Sequence, residues 1–338
     1  MKPFQQTRIA LFALSIVVIF TACGKKQEAI KYDNPLAWQR ADPWVHKTDE
    51  GIYHLIATAP EYDRIEIKSA ETISGLAKAE PVVVWRKHES GPMSYHIWAP
   101  ELHRLNGKWY IYFAAAEAGN IWKIRIWVLS NNSDDPKTGT WVEEGQVKTQ
   151  RDEFALDATT FEHNGQRYLV WAEKTRRDLN SGLVIAKMKD HLTLESPEVV
   201  ISEPEYEWET QTYKVNEGAA VLKRNGKIFI TFSGSATDAT YAMGLLWASE
   251  DADLLDPASW NKLSAPVFYT NEEVKRFGPG HNSFTVAEDG KTDVLIYHAR
   301  DYKEIEGASL NDPNRHTRAR TFGWTKDGFP DFRQEIGD

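Results

Sequence analysis

One pattern recurs five times along the 338-residue chain, and it limits the fold more than any other feature of the sequence. Each copy begins with polar or acidic residues, continues through a short half-apolar stretch and a turn, and ends in a strand rich in β-branched and aromatic residues. Self-similarity at a regular interval is the signature of a repeat architecture, in which each copy is one supersecondary unit. The copies are ADPWVHKTDEGIYHLIA from Ala41, APELHRLNGKWYIYFAA from Ala99, LDATTFEHNGQRYLVWA from Leu156, NEGAAVLKRNGKIFITFS from Asn216 and GHNSFTVAEDGKTDVLIYH from Gly280.

Each copy contains a two-residue turn of the kind that closes a β-hairpin. Asn-Gly and Asp-Gly between apolar runs are the strongest short-range hairpin signals, because both residues tolerate positive φ. The turn glycines follow one another at intervals of 56, 58, 61 and 64 residues. The turns are Glu50-Gly51, Asn106-Gly107, Asn164-Gly165, Asn225-Gly226 and Asp289-Gly290.

Each interval holds the hairpin and further strand-like runs, such as Ile121–Ser130 and Gly244–Ser249, while amphipathic helices of useful length are missing from the sequence. Four short strands per repeat make one blade of a propeller. The sequence therefore predicts an all-β, single-domain, five-bladed β-propeller over residues 35–338. A β-sandwich with chance hairpins is the alternative, and the regular interval argues against it.

The repeat also predicts where ionisable side chains converge. In a propeller, the same position of every blade reaches the same height around the central channel. Carboxyl groups crowded at one channel mouth repel each other, which raises the pKa of at least one and favours a functional explanation. Two opposed carboxyl groups are what glycosidic bond cleavage requires, one to protonate the leaving oxygen and one to activate water or attack carbon. Counting seven or eight residues back from the turns gives Asp42, Ala99 or Pro100, Asp157, Glu217 and His281.

The motifs ADPWV, LDATTF, VNEG and GPGHNSF, in this order and at blade spacing, resemble glycoside hydrolase family 43, a family of five-bladed propellers. HIWAPE, FALDATTFEHNG, VNEGAAVLKRNGKIFI and DPNRHTRA are especially similar to its exo-acting α-L-arabinofuranosidases, which trim arabinan. The likeness extends over nearly all of the mature chain. It implies an inverting glycosidase that releases terminal α-L-arabinofuranosyl groups from arabinan or arabino-oligosaccharides.

The resemblance implies a role for each acid. Asp42 corresponds to the general base that deprotonates the attacking water, and Glu217 corresponds to the general acid. Asp157 corresponds to a third acid, which holds the general acid in place and tunes its pKa. Inversion requires a gap of about 6.5–9.5 Å between base and acid, which opposed blades can provide. A strand-end carboxylate that caps backbone N–H groups is the structural alternative for each acid.

The resemblance gives His281 and Arg300 further roles. His281 matches a histidine near the channel centre that often contacts a calcium ion or its waters, so we expect it at a Ca²⁺ site or beside the substrate. A hydrogen-bonded histidine with no ion is the alternative, because calcium prefers oxygen ligands. Arg300, in YHAR, matches an arginine that reaches the bound sugar, and a structural salt bridge is its alternative.

Three more features lie close to the predicted ring. Trp98, in HIWAPE, is a candidate wall of the sugar pocket, with blade packing as the alternative. Glu101 lies one or two places past the aligned position, and we interpret it as structural. The acidic, aromatic segment 203–213 is either the pocket rim that selects the leaving group or a solvated loop. A loop such as 202–215 has the length to close a pocket for an exo-acting enzyme.

Other functions remain open at this point. The same fold serves β-xylosidases and endo-arabinanases, so the sugar and the mode of cleavage rest on the resemblance. A glycan-binding surface lipoprotein without catalysis is a rival from another class, and the presence of all three acids counts against it. A purely structural propeller leaves the clustered acids unexplained.

The composition and charge exclude nucleic-acid binding. The formal net charge is −9, and removal of residues 1–22 takes away two of the positive charges. Nucleic acid requires a concentrated positive surface, whereas neutral sugars make no such demand. A P-loop, a dinucleotide glycine fingerprint, a paired-cysteine motif and an HExxH zinc motif are all absent from the sequence.

The first residues are typical of an export signal. Lys2 and Arg8 are its charges, and the apolar run 9–20 is too short to span a bilayer comfortably, as in the core of a signal peptide. The sequence FTAC, which ends at Cys23, resembles a bacterial lipobox, in which the cysteine becomes the lipidated first residue. It departs from the usual pattern by having Phe where Leu is common. A plain secretory signal with an incidental cysteine is the alternative.

Cys23 is the only cysteine of the chain, so no internal disulfide competes for it. We therefore expect a signal peptide at 1–22, a lipid anchor on Cys23 and a tether at 23–34. Gly24 is not the Asp that retains many lipoproteins in the inner membrane. The sequence thus predicts an exported bacterial lipoprotein of the outer membrane that contacts the membrane through its lipid.

Overall fold

The computed structural model describes Met1 and residues 30–337, and one compact unit begins at Lys31. The predicted signal peptide, the lipidation site at Cys23 and most of the predicted tether lie outside the described residues. Among the residues that the structure describes, no helix has the length and apolar character needed to cross a membrane.

Five antiparallel sheets follow one another along the chain, as the repeat predicts, and each is one blade of a β-propeller. Neighbouring strands in the sequence are neighbours in each sheet. Blade 1 contains β1 (Ala41–Lys47), β2 (Tyr53–Thr58), β3 (Arg64–Ala70) and β4 (Val82–Arg86). Blade 2 contains β5 (Tyr95–Leu105), β6 (Lys108–Glu117), β7 (Asn120–Asn131) and β8 (Val142–Gln146). Blade 3 contains β9 (Ala155–His163), β10 (Gln166–Glu173), β11 (Gly182–Lys187) and β12 (Val199–Ser202).

The last two blades have shorter outer strands. Blade 4 contains β13 (Asn216–Arg224), β14 (Lys227–Gly234), β15 (Ala242–Ser249) and β16 (Asn261–Lys262). Blade 5 contains β17 (Phe277–Val286), β18 (Asp293–Arg300) and β19 (His316–Thr321), and β20 (Gly323–Trp324) pairs with β21 (Pro330–Asp331) after it. Single 3₁₀ turns lie at Ser74–Ala77, Glu207–Glu209, Pro257–Ser259 and Ser309–Asn311.

The start of the compact unit completes blade 5. The Leu36 N–H donates to the Thr317 carbonyl at 2.8 Å, and Asn34 exchanges two 2.8 Å hydrogen bonds with the backbone of Ala319. Tyr32 is buried as well. Residues 32–34, which the sequence assigned to the tether, therefore pack on the propeller, and the domain begins before residue 35.

The inner strands β1, β5, β9, β13 and β17 contact one another in ring order, and β1 also contacts β17, so the ring is closed. Apolar side chains fill the space between successive blades. Trp109 and Phe113 pack between blades 1 and 2, and Trp171 packs between blades 2 and 3. Burial of each such side chain stabilises the fold by roughly 1.5–3 kcal/mol.

Every inner strand has a β-bulge at the same height, where its register with the next strand shifts. The first residue of this bulge has positive φ in each blade, a conformation that costs a non-glycine residue about 1–3 kcal/mol, and β5 and β17 have a further bulge closer to their start. Such bulges re-aim side chains and are common beside active sites. The bulged residues are Asp42 (φ 54°), Ala99 (φ 44°), Asp157 (φ 56°), Gly218 (φ 59°) and His281 (φ 41°).

The bulges correct the repeat alignment by one residue in blade 4. Gly218, not Glu217, is the equivalent of Asp42 and Asp157, and Glu217 precedes it. A Cβ on Gly218 would lie 2.9 Å from Cγ of His281, so glycine is required where the two strands approach each other. Because of this offset, the side chain of Glu217 starts from a different backbone position relative to the bulge from that of Asp42 and Asp157.

Candidate active site

The bulges surround a cavity of about 410 Å³ at one end of the propeller channel. Five residues predicted from the sequence line it, together with Arg315, which was not predicted. A volume of 300–1,000 Å³ with a few converging polar groups is typical of a small-ligand site. The predicted residues in its wall are Asp42, Trp98, Asp157, Glu217 and His281.

Asp42 lies in a cationic environment. Arg315 Nη1 donates to Asp42 Oδ1 at 3.1 Å, and the Thr58 hydroxyl donates to Oδ2 at 2.7 Å. The Asp42 N–H donates to Nδ1 of His298 at 3.0 Å, which fixes the backbone at the bulge. Burial on its own would raise the pKa of Asp42, but Arg315, His281 and His298 outweigh it and hold this pKa well below its ordinary value. Asp42 is therefore an ionised carboxylate.

His281 lies between two carboxyl groups. Its Nδ1 is 3.2 Å from Asp42 Oδ1 and 3.9 Å from Asp157 Oδ2. Burial would lower the pKa of His281, but Asp157 and Asp42 raise it to about 9. The ring is thus a cation at neutral pH, and it joins the bulges of blades 1, 3 and 5.

Glu217 has the opposite electrostatic environment. Burial and the nearby charge of Asp157 raise the pKa of Glu217 to about 7. The Tyr241 hydroxyl donates to Glu217 Oε1 at 2.8 Å, which opposes the rise but does not cancel it. Much of the Glu217 population is therefore a protonated acid near neutral pH.

Asp157 connects the two environments. Its Oδ2 accepts a 3.0 Å hydrogen bond from the Gly218 N–H, directly after Glu217 in the chain. Burial raises the pKa of Asp157 to about 6, against the pull of His281. Asp157 thus fixes the backbone that carries Glu217, and its charge helps keep that carboxyl protonated.

Two predicted residues differ in their relation to the cavity. Trp98 forms part of its wall and packs edge-on against Tyr62 at 5.6 Å between ring centroids. Arg300 does not line the cavity. It donates to the Asp312 carboxylate at 3.1 Å, to the Thr237 carbonyl at 2.6 Å and to the Ser309 carbonyl at 3.1 Å. These donors of Arg300 hold loops together, and Arg315 is the arginine in the cavity wall. A contact between Arg300 and the sugar stays a prediction.

Glu101 and the segment before β13 match one of the alternatives that the sequence left open. Glu101 is buried, and its Oε2 lies 2.9 Å from His103 Nε2, in agreement with a structural role. Tyr213, the last residue of segment 203–213, lines the cavity together with Val215 just beyond it, so the end of the segment forms part of the cavity rim.

A buried ion pair ties this rim to the strand that carries Glu217. Lys262 Nζ lies 2.6 Å from Glu209 Oε1, and both side chains are largely shielded from water. The same Glu209 oxygen accepts a 2.8 Å hydrogen bond from the amide of Asn216, the residue before Glu217. Removal of one partner of such a pair costs about 3–5 kcal/mol, so the rim has a fixed position relative to Glu217.

The residues around His281 do not form a calcium cage. Calcium takes six to eight oxygen ligands, and within residues 30–337 no group of three or more His, Cys, Asp or Glu side chains is arranged to hold a metal ion. The nearest carboxylate oxygens already accept hydrogen bonds from Arg315, Thr58 and Gly218. Calcium at His281 stays a prediction, and no chemical step is derived through it.

The sequence reasoning missed Arg315, Tyr241, His298 and Thr58. They lie on β2, β18 and loops, outside the inner strands to which the repeat argument was confined. Arg315 has a signal in the sequence, because it lies in the DPNRHTRA motif. Tyr241 has no such signal, and only the structure shows that its ring lies where a Cβ on Gly280 would be, 2.5 Å away.

Comparisons with known proteins agree with this geometry. The model of glycosyl hydrolases family 43 matches residues 32–330. An extracellular exo-α-(1→5)-L-arabinofuranosidase of Streptomyces avermitilis is 49% identical over 332 residues, which are 97% of this chain and 69% of that protein. A protein of the same name from Streptomyces chartreusis is 55% identical over 277 residues, 82% of this chain and 84% of that protein.

Solved structures give the same result. The crystal structure of an α-L-arabinofuranosidase from Lactobacillus brevis has a TM-score of 0.88 and 50% identity, and the match covers 90% of this chain and 97% of that one. A thermostable family-43 glycoside hydrolase has a TM-score of 0.75 at 22% identity, with 91% and 97% covered. At that identity the second likeness supports the fold alone.

Proposed function

Because the chain belongs to glycosyl hydrolases family 43 and is a glycosidase, we propose that it releases terminal α-L-arabinofuranosyl groups from arabinan or arabino-oligosaccharides with inversion of configuration. The observation that carries this proposal is the pairing, in one cavity, of an ionised Asp42 with a protonated Glu217. A base and an acid whose pKa values are driven apart by their surroundings are what a single displacement at a glycosidic bond requires.

The proposed reaction has one step. Asp42 accepts a proton from a water molecule as the water oxygen attacks the anomeric carbon. The bond from that carbon to the glycosidic oxygen breaks, and Glu217 donates its proton to this oxygen. The products are β-L-arabinofuranose and a glycan shortened by one unit, while Asp42 ends protonated and Glu217 ionised. Exchange of protons with solvent restores both groups.

The remaining polar residues prepare these two groups. Arg315 and His281 keep Asp42 ionised before the reaction, and Arg315 also presents a fixed cation in the cavity wall. Asp157 and Tyr241 position Glu217 from two sides, through the Gly218 N–H and the Glu217 carboxyl group. Groups oriented in advance in this way lower the barrier because little reorganisation accompanies the reaction.

The lining of the cavity supports a sugar substrate. Its volume of about 410 Å³ is in the range of small-ligand sites, and Trp98, Phe154 and Leu310 give it apolar walls. Tyr213, on the rim segment held by the Glu209–Lys262 ion pair, also lines it. The names of the relatives from both Streptomyces species support action on chain ends, arabinose as the sugar and α-(1→5) as the linkage.

Proton NMR of a natural arabino-oligosaccharide during hydrolysis tests the proposal. We expect free arabinose as the first product, with the β-anomer appearing before mutarotation. An α-anomer formed first would contradict inversion, and internal fragments would indicate an endo-arabinanase. Comparison of an aryl α-L-arabinofuranoside with an aryl β-D-xyloside tests the sugar, and faster cleavage of the xyloside would assign a β-xylosidase instead.

We also propose that the protein is exported and anchored by lipid at Cys23. The apolar run 9–20 in the sequence supports export, as do the names of both relatives, which are extracellular enzymes. The anchor rests on the sequence FTAC alone. Metabolic labelling of a bacterial host with an alkyne-tagged fatty acid tests the anchor. The protein should carry the label, and Cys23→Ser should lose it; label on both proteins or on neither contradicts the anchor. Separation of the two membranes by density then tests the outer-membrane location.

A further inference from the structure

Two loops form part of the cavity wall, and one buried guanidinium outside the cavity connects them. The loop of residues 235–241 joins β14 to β15, and its first three residues line the cavity. The loop of residues 301–315 joins β18 to β19, and it lines the cavity at Leu310 and Arg315. Arg300, the last residue of β18, is only 1% exposed and contacts both loops.

The donors of Arg300 are divided between the two loops. Its Nη1 donates to the Thr237 carbonyl at 2.6 Å, its Nη2 to the Ser309 carbonyl at 3.1 Å, and its Nε to Asp312 Oδ1 at 3.1 Å. The loops also touch directly, since the hydroxyl oxygens of Thr237 and Ser309 are 3.0 Å apart. A guanidinium presents its donors in a rigid planar fork, so these acceptors hold the two loops in one relative position.

Asp312 extends these contacts towards the cavity. Its Oδ2 accepts a 2.5 Å hydrogen bond from the Tyr302 hydroxyl, and its Oδ1 accepts a 2.9 Å hydrogen bond from the N–H of Asn314, the residue before Arg315. Burial would raise the pKa of Asp312, but these hydrogen bonds and Arg300 hold it below its ordinary value. The carboxylate is therefore ionised, and it joins Arg300 to the backbone beside Arg315.

The 301–315 loop carries groups that act directly in the cavity. Leu310 supplies an apolar part of the wall, and Arg315 donates to Asp42 Oδ1 at 3.1 Å. Blade 1 adds a contact to the same loop, as the Tyr62 hydroxyl donates to the Leu310 carbonyl at 2.6 Å. A displacement of about 1 Å at a reacting site can cost roughly 10²-fold in rate. The position of this loop therefore affects both the fit of the sugar and the surroundings of the base.

We propose that Arg300 and Asp312 form a clasp that positions the 301–315 loop in the cavity wall, with no contact of their own to the sugar. Neither residue lines the cavity. The inference rests on the proposed function, because it assigns two positioning residues to the same site.

Steady-state kinetics with an aryl α-L-arabinofuranoside tests the clasp through KM and through the pH dependence of kcat/KM. Arg300→Met releases the loop, so KM should rise about tenfold. The acid limb should move to higher pH, because Arg315 then holds Asp42 less closely and the pKa of Asp42 rises. Asp312→Ala should change both quantities in the same direction. The double variant should lose no more than Arg300→Met alone, since both substitutions break one interaction.

The direction of the pH shift separates positioning from the effect of charge through space. Arg300→Met removes a cation and Asp312→Ala removes an anion, so charge alone would move the acid limb to higher pH in the first variant and to lower pH in the second. Shifts in opposite directions would therefore overturn the clasp. Tyr302→Phe removes one hydrogen bond to Asp312 without a change of charge, and it should produce a smaller shift to higher pH even if Arg300→Met does not fold.

Arg320 supplies a matched control. It is buried like Arg300 and donates to the carbonyls of Arg333 at 2.9 Å and Ile336 at 3.0 Å, about 13 Å along β19 from the end at the cavity. Arg320→Met should lower the melting temperature but leave KM and the acid limb unchanged. The same result for Arg300→Met would reduce its role to stability and contradict the clasp.

Two further outcomes complete the test. A higher KM in Arg300→Met with an unchanged KM in Asp312→Ala would make Arg300 a sugar contact and overturn the clasp. If the unmodified protein cleaves no arabinofuranoside, the proposed function itself fails.

Discussion

Asp42 and Glu217 open on the same cavity, yet their surroundings drive their pKa values in opposite directions. Burial disfavours the charged form of both carboxyl groups. Around Asp42, a guanidinium and an imidazolium reverse this effect, and the group stays ionised. Around Glu217, the charge of Asp157 adds to the effect, and the Tyr241 hydroxyl and the charge of His281 oppose it without cancelling it.

The different pKa values of Asp42 and Glu217 come from partner residues outside β1 and β13. These partners decide which carboxyl group is the base and which is the acid, and the repeat does not. Arg315 precedes β19, His281 lies on β17, and Tyr241 precedes β15. Arg315 and His281 reach Asp42 from blade 5, because the ring brings different blades together around one channel, whereas Tyr241 reaches Glu217 from within blade 4. Substitution of each partner should therefore decrease or increase the difference between the pKa values of Asp42 and Glu217.

The largest expected effect comes from replacing the two groups themselves. Glu217→Gln removes the proton donor, so kcat for arabino-oligosaccharides should fall about 10³-fold, while a dinitrophenyl arabinofuranoside, whose leaving group needs no proton, should be much less affected. Asp42→Asn removes the base, so its loss should be similarly large for both substrates. Steady-state kinetics with both substrates checks the contrast.

Circular dichroism of both variants is the control for folding. The same leaving-group dependence in the two variants would contradict the division into acid and base. Full retention of biological function in Glu217→Gln, with glycan binding intact by calorimetry, would instead identify a glycan-binding protein.

Arg315→Met should reduce the pKa difference between Asp42 and Glu217 by changing the surroundings of the base. The Asp42 carboxylate loses its 3.1 Å partner, so the pKa of Asp42 should rise. Because the base must be ionised to act, the acid limb of the pH dependence of kcat/KM should move to higher pH, and kcat/KM at neutral pH should fall about 10²-fold. Arg315→Lys retains the charge and should keep the limb near its original place. An unchanged acid limb in Arg315→Met would show that His281 and the Thr58 hydroxyl suffice to keep Asp42 ionised.

Tyr241→Phe should increase the pKa difference between Asp42 and Glu217 by changing the surroundings of the acid. In the unmodified protein, kcat/KM should fall above about pH 7, as Glu217 with a pKa of about 7 loses its proton. The Tyr241 hydroxyl favours the ionised form, so its removal should raise this pKa and move the alkaline limb to higher pH. We expect kcat to fall about tenfold, through looser positioning of Glu217. A lower kcat with an unmoved alkaline limb would leave Tyr241 a packing role only.

The sequence was sufficient for the fold because the hairpin turns are local signals. Asn-Gly at residues 106, 164 and 225 fixes each hairpin through positive φ at neighbouring residues, and the apolar strands beside it need no distant information. The one-residue offset at Gly218 was not predictable in the same way. His281 of the next blade leaves no room for a Cβ at the bulge position of blade 4, so the acid lies one residue earlier, and this contact exists only once the ring has closed.

In the candidate site, too, the residues with a local sequence signal were predicted, and those that depend on contacts in the folded ring were not. Asp42, Asp157 and His281 were found because they share a repeat position, and Trp98 because it adjoins one. Arg300 was predicted to contact the sugar because the motif YHAR resembles that of the family, but a sequence does not show whether a guanidinium is already occupied by other partners. In the structure Asp312 and two backbone carbonyls occupy Arg300. Long-range partners of this kind depend on tertiary packing and on no local pattern.

The smallest expected effect concerns the positive charge between Asp42 and Asp157. His281 supplies this charge itself, with a pKa raised to about 9, and the oxygens beside it are engaged with Arg315, Thr58 and Gly218. Prolonged dialysis against a chelator should therefore change kcat/KM at pH 6 less than about twofold. His281→Gln removes the charge, so it should lower kcat/KM severalfold and shift the acid limb of its pH dependence to higher pH. A chelated protein that loses activity and regains it with Ca²⁺, but not with Mg²⁺, would show instead that an ion and its waters complete the positive side of the site.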